Sequence, residues 1–270
     1  MKQLYINPRG GFAGDMFAAA LIDAGADKNK VTDAMLKAAE MIGRANVQHV
    51  KTNDNCSRML IDVAHHHGHL SSHKAWHLLE HLFQDLKITP EYRRFGFQML
   101  KELIMAEKEA HDNFDFNMEN HHEDHHHHQE SEHDHILNHH HHHHGMPEAW
   151  LHEAQDILID ITGAVMSLQD LQASTNARLV APVSYGGGSV SFSHGTLKVP
   201  APATQIMIKN NHIPVTAGPI ETELFTPTGA AALSALQANA VVSLPNSISA
   251  KGQSRGTKDL PIPPLEIYLV

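Results

Sequence analysis

Imidazole is concentrated in this chain in a way that points to metal. Of 26 histidines, fifteen lie between His111 and His144 and seven more between His65 and His81. Neutral imidazole is the commonest protein ligand for zinc, nickel and copper, with affinities that follow the Irving–Williams order. The segment 111–145 is built from His, Asp, Glu and Asn with almost nothing to bury. Its composition predicts a disordered loop that stores or delivers metal. A second cluster, His65, His66, His67 and His69, precedes a row of His73, His77 and His81 spaced by four. If Ser71 or Ser72 caps a helix running to about Leu86, that row lies opposite Trp76, Leu78, Leu79, Leu82, Phe83 and Leu86. Two imidazoles at i and i+4 can chelate one ion, although the same row also reads as an ordinary solvated face. The metal-ligand candidates are therefore His65, His66, His67, His69, His73 and His77.

Carboxylates form a second pattern. Pro147 predicts a helix over Glu148–Leu171, with Trp150, Ala154, Ile157, Leu158, Ile161, Val165 and Leu168 on its core face. His152, Asp156 and Asp160 then make an i, i+4, i+8 row on the other side, beside Glu153. One His and two carboxylates at that spacing suit a divalent ion or a polar ligand, and equally an exposed polar stripe. Two loops could receive anions. Gly10-Gly11-Phe12-Ala13-Gly14-Asp15 joins a strand to a helix, and Thr226-Pro227-Thr228-Gly229 opens another. Free N–H groups at a helix start favour phosphate or carboxylate, and glycine permits close approach. Plain capping by Asp15, Thr226 or Thr228 explains the same residues.

The elements that would position these groups follow from periodicity. Leu4–Asn7 reads as a strand, Asp15–Ala24 as a helix ended by Gly25, and Val31–Ile42 as a second helix. Val47–Thr52 and Arg58–Ala64 read as paired strands. Pro90 opens a helix to about Ala110 with Tyr92, Phe95, Met99, Leu103 and Ala106 on its apolar stripe. Beyond Thr175 the pattern turns to strands at Arg178–Val183, Ser189–Phe192, Ile206–Lys209 and Ile220–Leu224, then a short helix from Gly229 to about Gln237. The expected fold class is α+β: a helix-rich first half with an N-terminal strand, a strand-rich second half and one disordered His-rich loop insertion. The expectation is a single domain over residues 1–270, interrupted by that loop.

Composition narrows the function classes. At 270 residues and 41% hydrophobic, the chain can bury a substantial core. A formal charge of −10 gives no support for nucleic-acid binding, and partial protonation of the histidines near pH 6 would offset much of it. One cysteine, Cys56, allows no internal disulfide and fits a reducing cytoplasm. The opening residues lack the apolar stretch of a signal peptide, and no run is long enough to span a bilayer.

The motifs also carry a resemblance. Gly11-Phe12-Ala13-Gly14-Asp15-Met16-Phe17 is similar to the SGxxGDMF opening of the nickel insertion (LarC) proteins. His65–Leu70 resembles their mid-chain His cluster. His194–Thr204 resembles HGxLPVPAPAT, Glu223–Ala231 resembles ExTTPTGAA, and Gly256–Pro261 resembles GTRDLP. Five segments in the family's order cover most of the chain outside the His-rich loop. The resemblance implies a cyclometallase of the lyase type, inserting nickel into pyridinium-3,5-bisthiocarboxylic acid mononucleotide with consumption of CTP and formation of one Ni–C and two Ni–S bonds. It implies cofactor or substrate contacts at Gly11, Gly14, Thr226, Thr228 and Gly229, and catalytic roles for Asp15, His152, Glu153, Asp156 and Asp160. It further implies a C-terminal domain that binds CTP and a divalent cation, here supplied by a separate partner chain.

The match has departures. The family's Asp, aromatic and Ser before the first shared glycine are Asn7, Arg9 and Gly10 here, and the family's HEVGAVDSIVDI is shortened in His152–Ile161. The intact segments 194–204 and 223–231 favour nickel insertion. The altered 7–10 segment favours a His-rich nickel store or chaperone that has kept the fold without the chemistry. On either reading, deleting 111–145 should leave the thermal midpoint nearly unchanged and cut bound nickel by roughly half or more. Calorimetry and metal analysis of the deleted protein check both halves, and a large loss of stability would overturn the loop assignment.

Overall fold

The computed structural model of the protein describes residues 1–65, 69–113, 149–152, 156–192, 195–241 and 243–270. The chain begins with β1 (Lys2–Asn7), α1 (Gly14–Asp23), α2 (Lys28–Glu40), β2 (Gly43–Lys51), β3 (Ser57–His65) and β4 (His69–Ser71). Two long helices follow, α3 (Ser72–Asp85) and α4 (Pro90–Asn113), then β5 (Trp150–His152), α5 (Ile157–Leu171), β6 (Ala173–Leu179) and β7 (Val183–Ser184). The last part comprises β8 (Ser189–Phe192), β9 (Gly195–Lys198), α6 (Pro202–Asn210), β10 (Val215–Thr216), α7 (Pro227–Ala235), β11 (Asn239–Ala240), β12 (Ala250–Ser254) and β13 (Leu265–Leu269). Among the described residues no helix is long and apolar enough to cross a membrane.

Seven strands form one mixed sheet in the order β11-β6-β1-β13-β12-β3-β2. Alternation along the strands gives it two unlike faces. Leu4, Ile6, Met59, Gly252, Ser254, Leu265, Ile267 and Leu269 are buried under helices, whereas Leu60 and Asp62 of β3 face outward. Antiparallel β13 bridges β1 and β12, pairing Leu4 with Leu269 and Gly252 with Ile267. The sequence reading did not find β12 or β13, so it missed the strands that join the two ends of the chain in the middle of the sheet.

Helix α1 lies between this sheet and α5, and small residues make that possible. Ala18, Ala19 and Ala20 are wholly buried. A Cβ on Gly252 of β12 would meet the Ala20 carbonyl oxygen at 1.9 Å, and one on Gly163 of α5 would meet the Ala18 Cβ at 3.0 Å. Helix α5 in turn touches α1, α2, α4 and α7. Every residue from Ile157 to Leu168 is buried as a result. A helix enclosed on all sides is apolar on all sides, so it has no polar face to reveal its phase.

That enclosure overturns one expectation. Residues 148–171 are not a single helix. Trp150–His152 is a strand that pairs antiparallel with β4, and α5 starts only at Ile157. Two further strand assignments fail. Ile206–Lys209 belongs to α6, which opens with Pro202 at a position suited to proline, and its spaced Ile206 and Ile208 mimic strand alternation. Segment 220–224 is irregular apart from an isolated bridge of Glu223 to Gly186. The expected strand Arg178–Val183 is also displaced, since β6 ends at Leu179 and β7 begins at Val183, whereas the remaining elements agree with their expected spans to within a few residues. Ser71 caps α3 by accepting from the Lys74 N–H at 3.2 Å, and the whole expected stripe of α4 is buried. Residues 111–113 continue α4, and the rest of the expected disordered segment lies outside the described residues.

Replacing Gly252 with Ala should destabilise the protein by about 3 kcal/mol, near the top of the range for overpacking, because its nearest obstacle is backbone that cannot rotate away. Denaturant unfolding checks this. An unchanged midpoint would mean that α1 is not tightly wedged.

Candidate functional site

Three helices begin at one place. Helix α7 starts after Thr226, whose hydroxyl oxygen accepts from the Gly229 N–H at 3.2 Å, so Thr226 is the cap. Thr228 does something else. It is buried, its Oγ1 accepts from the Gly14 N–H at the head of α1 (3.3 Å), and it lies 3.2 Å from the Thr226 hydroxyl. Its hydroxyl also hydrogen-bonds the carboxylate of Asp160, in the first turn of α5. Backbone bonds hold the two loops together: the Phe12 N–H donates to the Leu224 carbonyl at 2.8 Å, and the Thr226 N–H to the Phe12 carbonyl at 3.3 Å.

The glycines of the two loops serve this close packing. A Cβ on Gly14 would fall 2.3 Å from Asp160 Oδ2, one on Gly229 2.2 Å from the Phe12 carbonyl oxygen, and one on Gly11, at φ +94°, 2.2 Å from the Leu224 carbonyl oxygen. Protein atoms therefore fill the space that the sequence reading reserved for a ligand. The Gly14 N–H is already given to Thr228.

Beside these helix starts lies a cleft of about 510 Å³, with Asp15, Asp156, Glu223, Thr226 and Thr257 on its wall. Arg255 and Lys258 also line it. The Arg255 guanidinium donates to Asp54 Oδ2 at 2.5 Å and to the Ile262 carbonyl at 2.7 Å, which fixes the course of the 255–262 segment. A smaller cavity of about 200 Å³ shares Asp15, Asp156 and Thr257 with the cleft. Asp160 and the β3 side chains Met59, Ile61 and Val63 complete this annexe.

The carboxylates of the annexe raise one another's proton affinity. Burial is the main cause for Asp160, whose carboxyl is pushed well above the usual range, and the charges of Asp156 and Asp15 push it further. Burial likewise lifts Asp15 to about 6, aided by Asp156 and opposed by the hydrogen bond it accepts from the Met16 N–H at 2.7 Å. Asp160 is 2% exposed, and its Oδ1 has no hydrogen-bond partner among the described residues.

The structure brings together Asp15, Asp156 and Asp160 with Gly14, Thr226, Thr228 and Gly229. The row of His152, Asp156 and Asp160 along one helix is broken, because His152 sits on β5 and only Asp160 lies within α5. Among the described residues, no three His, Cys, Asp or Glu side chains close on one point that could hold a metal ion. Glu153, His66 and His67 lie outside the described residues. In backbone register His69 stands directly opposite His152 across the β4–β5 ladder, and His65 is the last residue of β3. His73, His77 and His81 are exposed on α3, opposite buried Leu79, Leu82 and Phe83, as their spacing predicts. The sequence reading missed Arg255 altogether. It quoted Thr257 and Lys258 only as part of a motif, because nothing in their spacing shows that this segment returns to the head of α1.

Raised carboxyl pKa values have a definite sign for stability. Asp15 and Asp160 prefer the neutral form in the fold, so their contribution is fully present below about pH 4 and is lost as pH rises through about 6 and beyond. In chelator-treated protein at pH 7.5, Asp160→Asn should therefore match or exceed the wild-type thermal midpoint. A gain of 1 kcal/mol would read as roughly 2–4 °C for a chain of this size. The gap should narrow at pH 5. Calorimetry at the two pH values checks this, and a variant that loses ground as pH rises would contradict it.

Comparison with known proteins supplies the family. The sequence profile described as nickel insertion protein matches residues 4–138 and 134–267. The pyridinium-3,5-bisthiocarboxylic acid mononucleotide nickel insertion protein of Geobacillus kaustophilus is 28% identical over 283 residues, covering 100% of this chain and 59% of its own length. The protein of the same name from Clostridium kluyveri is 28% identical, with 100% and 62% covered. That of Staphylococcus saprophyticus is 26% identical over 267 residues, with 96% and 57% covered. The chain thus spans less than two thirds of the length of these relatives. No solved structure matches it. With the profile covering nearly all of the chain, the protein belongs to the nickel insertion protein family.

Proposed function

We propose that this chain takes part in inserting nickel into pyridinium-3,5-bisthiocarboxylic acid mononucleotide, the compound for which its relatives are named. The observation that carries the reading is the joining of the starts of α1 and α7 through Gly14, Thr226 and Thr228, beside a cleft lined by Asp15 and Thr226 and an annexe lined by Asp15 and Asp160. These residues come from the two motifs shared with the family and from the centre of the fold. Helix starts, with Arg255 and Lys258 across the cleft, favour the phosphate of a mononucleotide. The carboxylates of Asp15, Asp156 and Asp160 stand where the reacting centre would lie. Nickel itself is the cargo. His69 and His152 are opposed in backbone register, and the exposed His73 and His77 follow on α3; on this reading these, with His65, His66, His67 and Glu153, are the residues that handle it. CTP and its divalent cation belong, on this reading, to a separate C-terminal domain.

Mixing the chain with nickel, CTP, the thiolated pyridinium mononucleotide and that domain should give the nickel-bound product, read by absorbance and mass spectrometry. Thr228→Val should lower the rate by about a hundredfold, the scale for misplacing a site by about an ångström, because it unties the starts of α1 and α7, and Thr228→Ser should restore most of it. The Val change also leaves the Gly14 N–H and Asp160 without a partner, at about 1–3 kcal/mol, so folding is monitored alongside. No product from wild-type protein that still binds nickel would replace this reading with a nickel store or chaperone. The exposed row of His73, His77 and His81 would then be the functional feature.

A further inference from the structure

Much of the cleft wall is the segment that follows β12, from Ser254 to Pro263, and its course is set by two ion pairs to the β2–β3 hairpin. The Arg255 backbone N–H donates to the Ser57 carbonyl at 2.9 Å, which starts the segment beside β3. Its Nε donates to Asp54 Oδ2 at 2.5 Å, and its Nη1 to the Ile262 carbonyl at 2.7 Å and the Leu260 carbonyl at 3.4 Å. Arg58 of β3 donates to Asp259 Oδ1 at 2.5 Å and reaches the Lys258 carbonyl at 3.5 Å. The Thr52 hydroxyl and Arg255 hold the Asp54 carboxyl well below the usual range, so the Asp54–Arg255 pair is ionised. Arg255 has thus committed its Nε and Nη1 donors to protein. Arg58 engages Asp259, the acid next to Lys258 in the chain. Lys258 itself is exposed on the cleft wall, and its ammonium has no ion pair or hydrogen bond among the described residues. Asp15, Asp156 and Glu223 share that wall, so an anionic group in the cleft finds its uncommitted counter-charge at Lys258. An ammonium with three donors on a flexible stem can turn to meet it, whereas a guanidinium locked to a carboxylate and two carbonyls cannot.

We propose that Lys258 binds the phosphate of the mononucleotide in the cleft, with Arg255 and Asp54 as positioning residues that hold its segment in place. This rests on the reading of the cleft as a mononucleotide site. It gives different roles to two bases on one wall, and it gives a role to Asp54, an exposed residue of the β2–β3 turn that does not line the cleft.

The test is equilibrium binding to the full chain, without nickel, of two probes: the thiolated pyridinium mononucleotide and the nucleoside left when its phosphate is removed. The wild type should bind the nucleotide about tenfold more tightly, the scale of one charged hydrogen bond, and added salt should narrow the gap. Lys258→Ala should remove that preference and leave nucleoside affinity unchanged, while Lys258→Arg should keep most of it. Asp54→Ala should reduce the preference by about threefold, because a loosened segment must be ordered again on binding, and Asp54→Glu should restore it. If Arg255 held the phosphate directly, loss of Asp54 would free its charge and tighten nucleotide binding instead. Both substituted positions are exposed, so the variants keep the core intact. Tighter nucleotide binding by Asp54→Ala, an unchanged preference in Lys258→Ala, or equal wild-type affinity for the two probes would overturn the assignment and leave the insertion reading standing. A wild type that binds neither probe would overturn both.

Discussion

Only a hydrogen atom fits between the head of α1 and the carboxylate of Asp160. A methyl on Gly14 would lie 2.3 Å from Asp160 Oδ2, and the Gly14 N–H is tied to the same Thr228 hydroxyl that bonds Asp160. This contact sets how close α1 comes to α5, and the rest of α1 follows from it. Ala18, Ala19 and Ala20 thin the helix where it runs between Gly163 of α5 and Gly252 of β12. Bulk anywhere along that line would separate the sheet from the central helix. It would also pull apart the starts of α1, α5 and α7.

Beside this contact lie two adjoining spaces that share Asp15, Asp156 and Thr257. Helix starts carry partial positive charge, and Arg255 and Lys258 share the cleft wall with Asp15, Asp156 and Glu223. Behind it, Asp15, Asp156 and Asp160 line the annexe, where burial and the neighbouring carboxylates raise the proton affinity of Asp15 and Asp160. A plain anion would face Asp15 and Asp156, and a plain cation would face Arg255 and Lys258.

Legibility in the sequence followed exposure. Helix α3 borders solvent, so its apolar stripe and its histidine row were both visible in the spacing, as was the stripe of α4. The strand, glycine loop and helix of residues 2–23 could be read because loop and helix differ in composition. Helix α5 could not be phased, since burial on every side removes the contrast that periodicity needs. Extending it back over 148–156 then placed His152 in a row that does not exist. Asp160 was singled out for a polar face it does not occupy, although it does reach the site, through the interior. The glycines were attributed to a ligand's approach, but their neighbours are Leu224, Asp160 and the Phe12 carbonyl, contacts between segments far apart in sequence. Strands β12 and β13 gave no signal because their place depends on pairing with β1 and β3.

The departures at the start of the chain take on a different meaning once its end is in place. Asn7 stands where the family has a carboxylate, and its side-chain amide donates to Glu266 Oε2 at 2.7 Å. An Asp at that position would set two carboxylates against each other. Asn7 is also not on the wall of the cleft, so its change removes no acid from the site. Gly10 does border the cleft, and a Cβ there would lie 1.8 Å from the Pro263 carbonyl oxygen. A serine would need the 261–264 segment to move. Both departures are therefore matched by residues of the C-terminal segment that packs on them. The acids that do face the cleft and annexe are Asp15, Asp156, Asp160 and Glu223, none of them in the 7–10 segment. Altered residues at 7–10 are thus weak grounds for reading this chain as a store that has lost its chemistry.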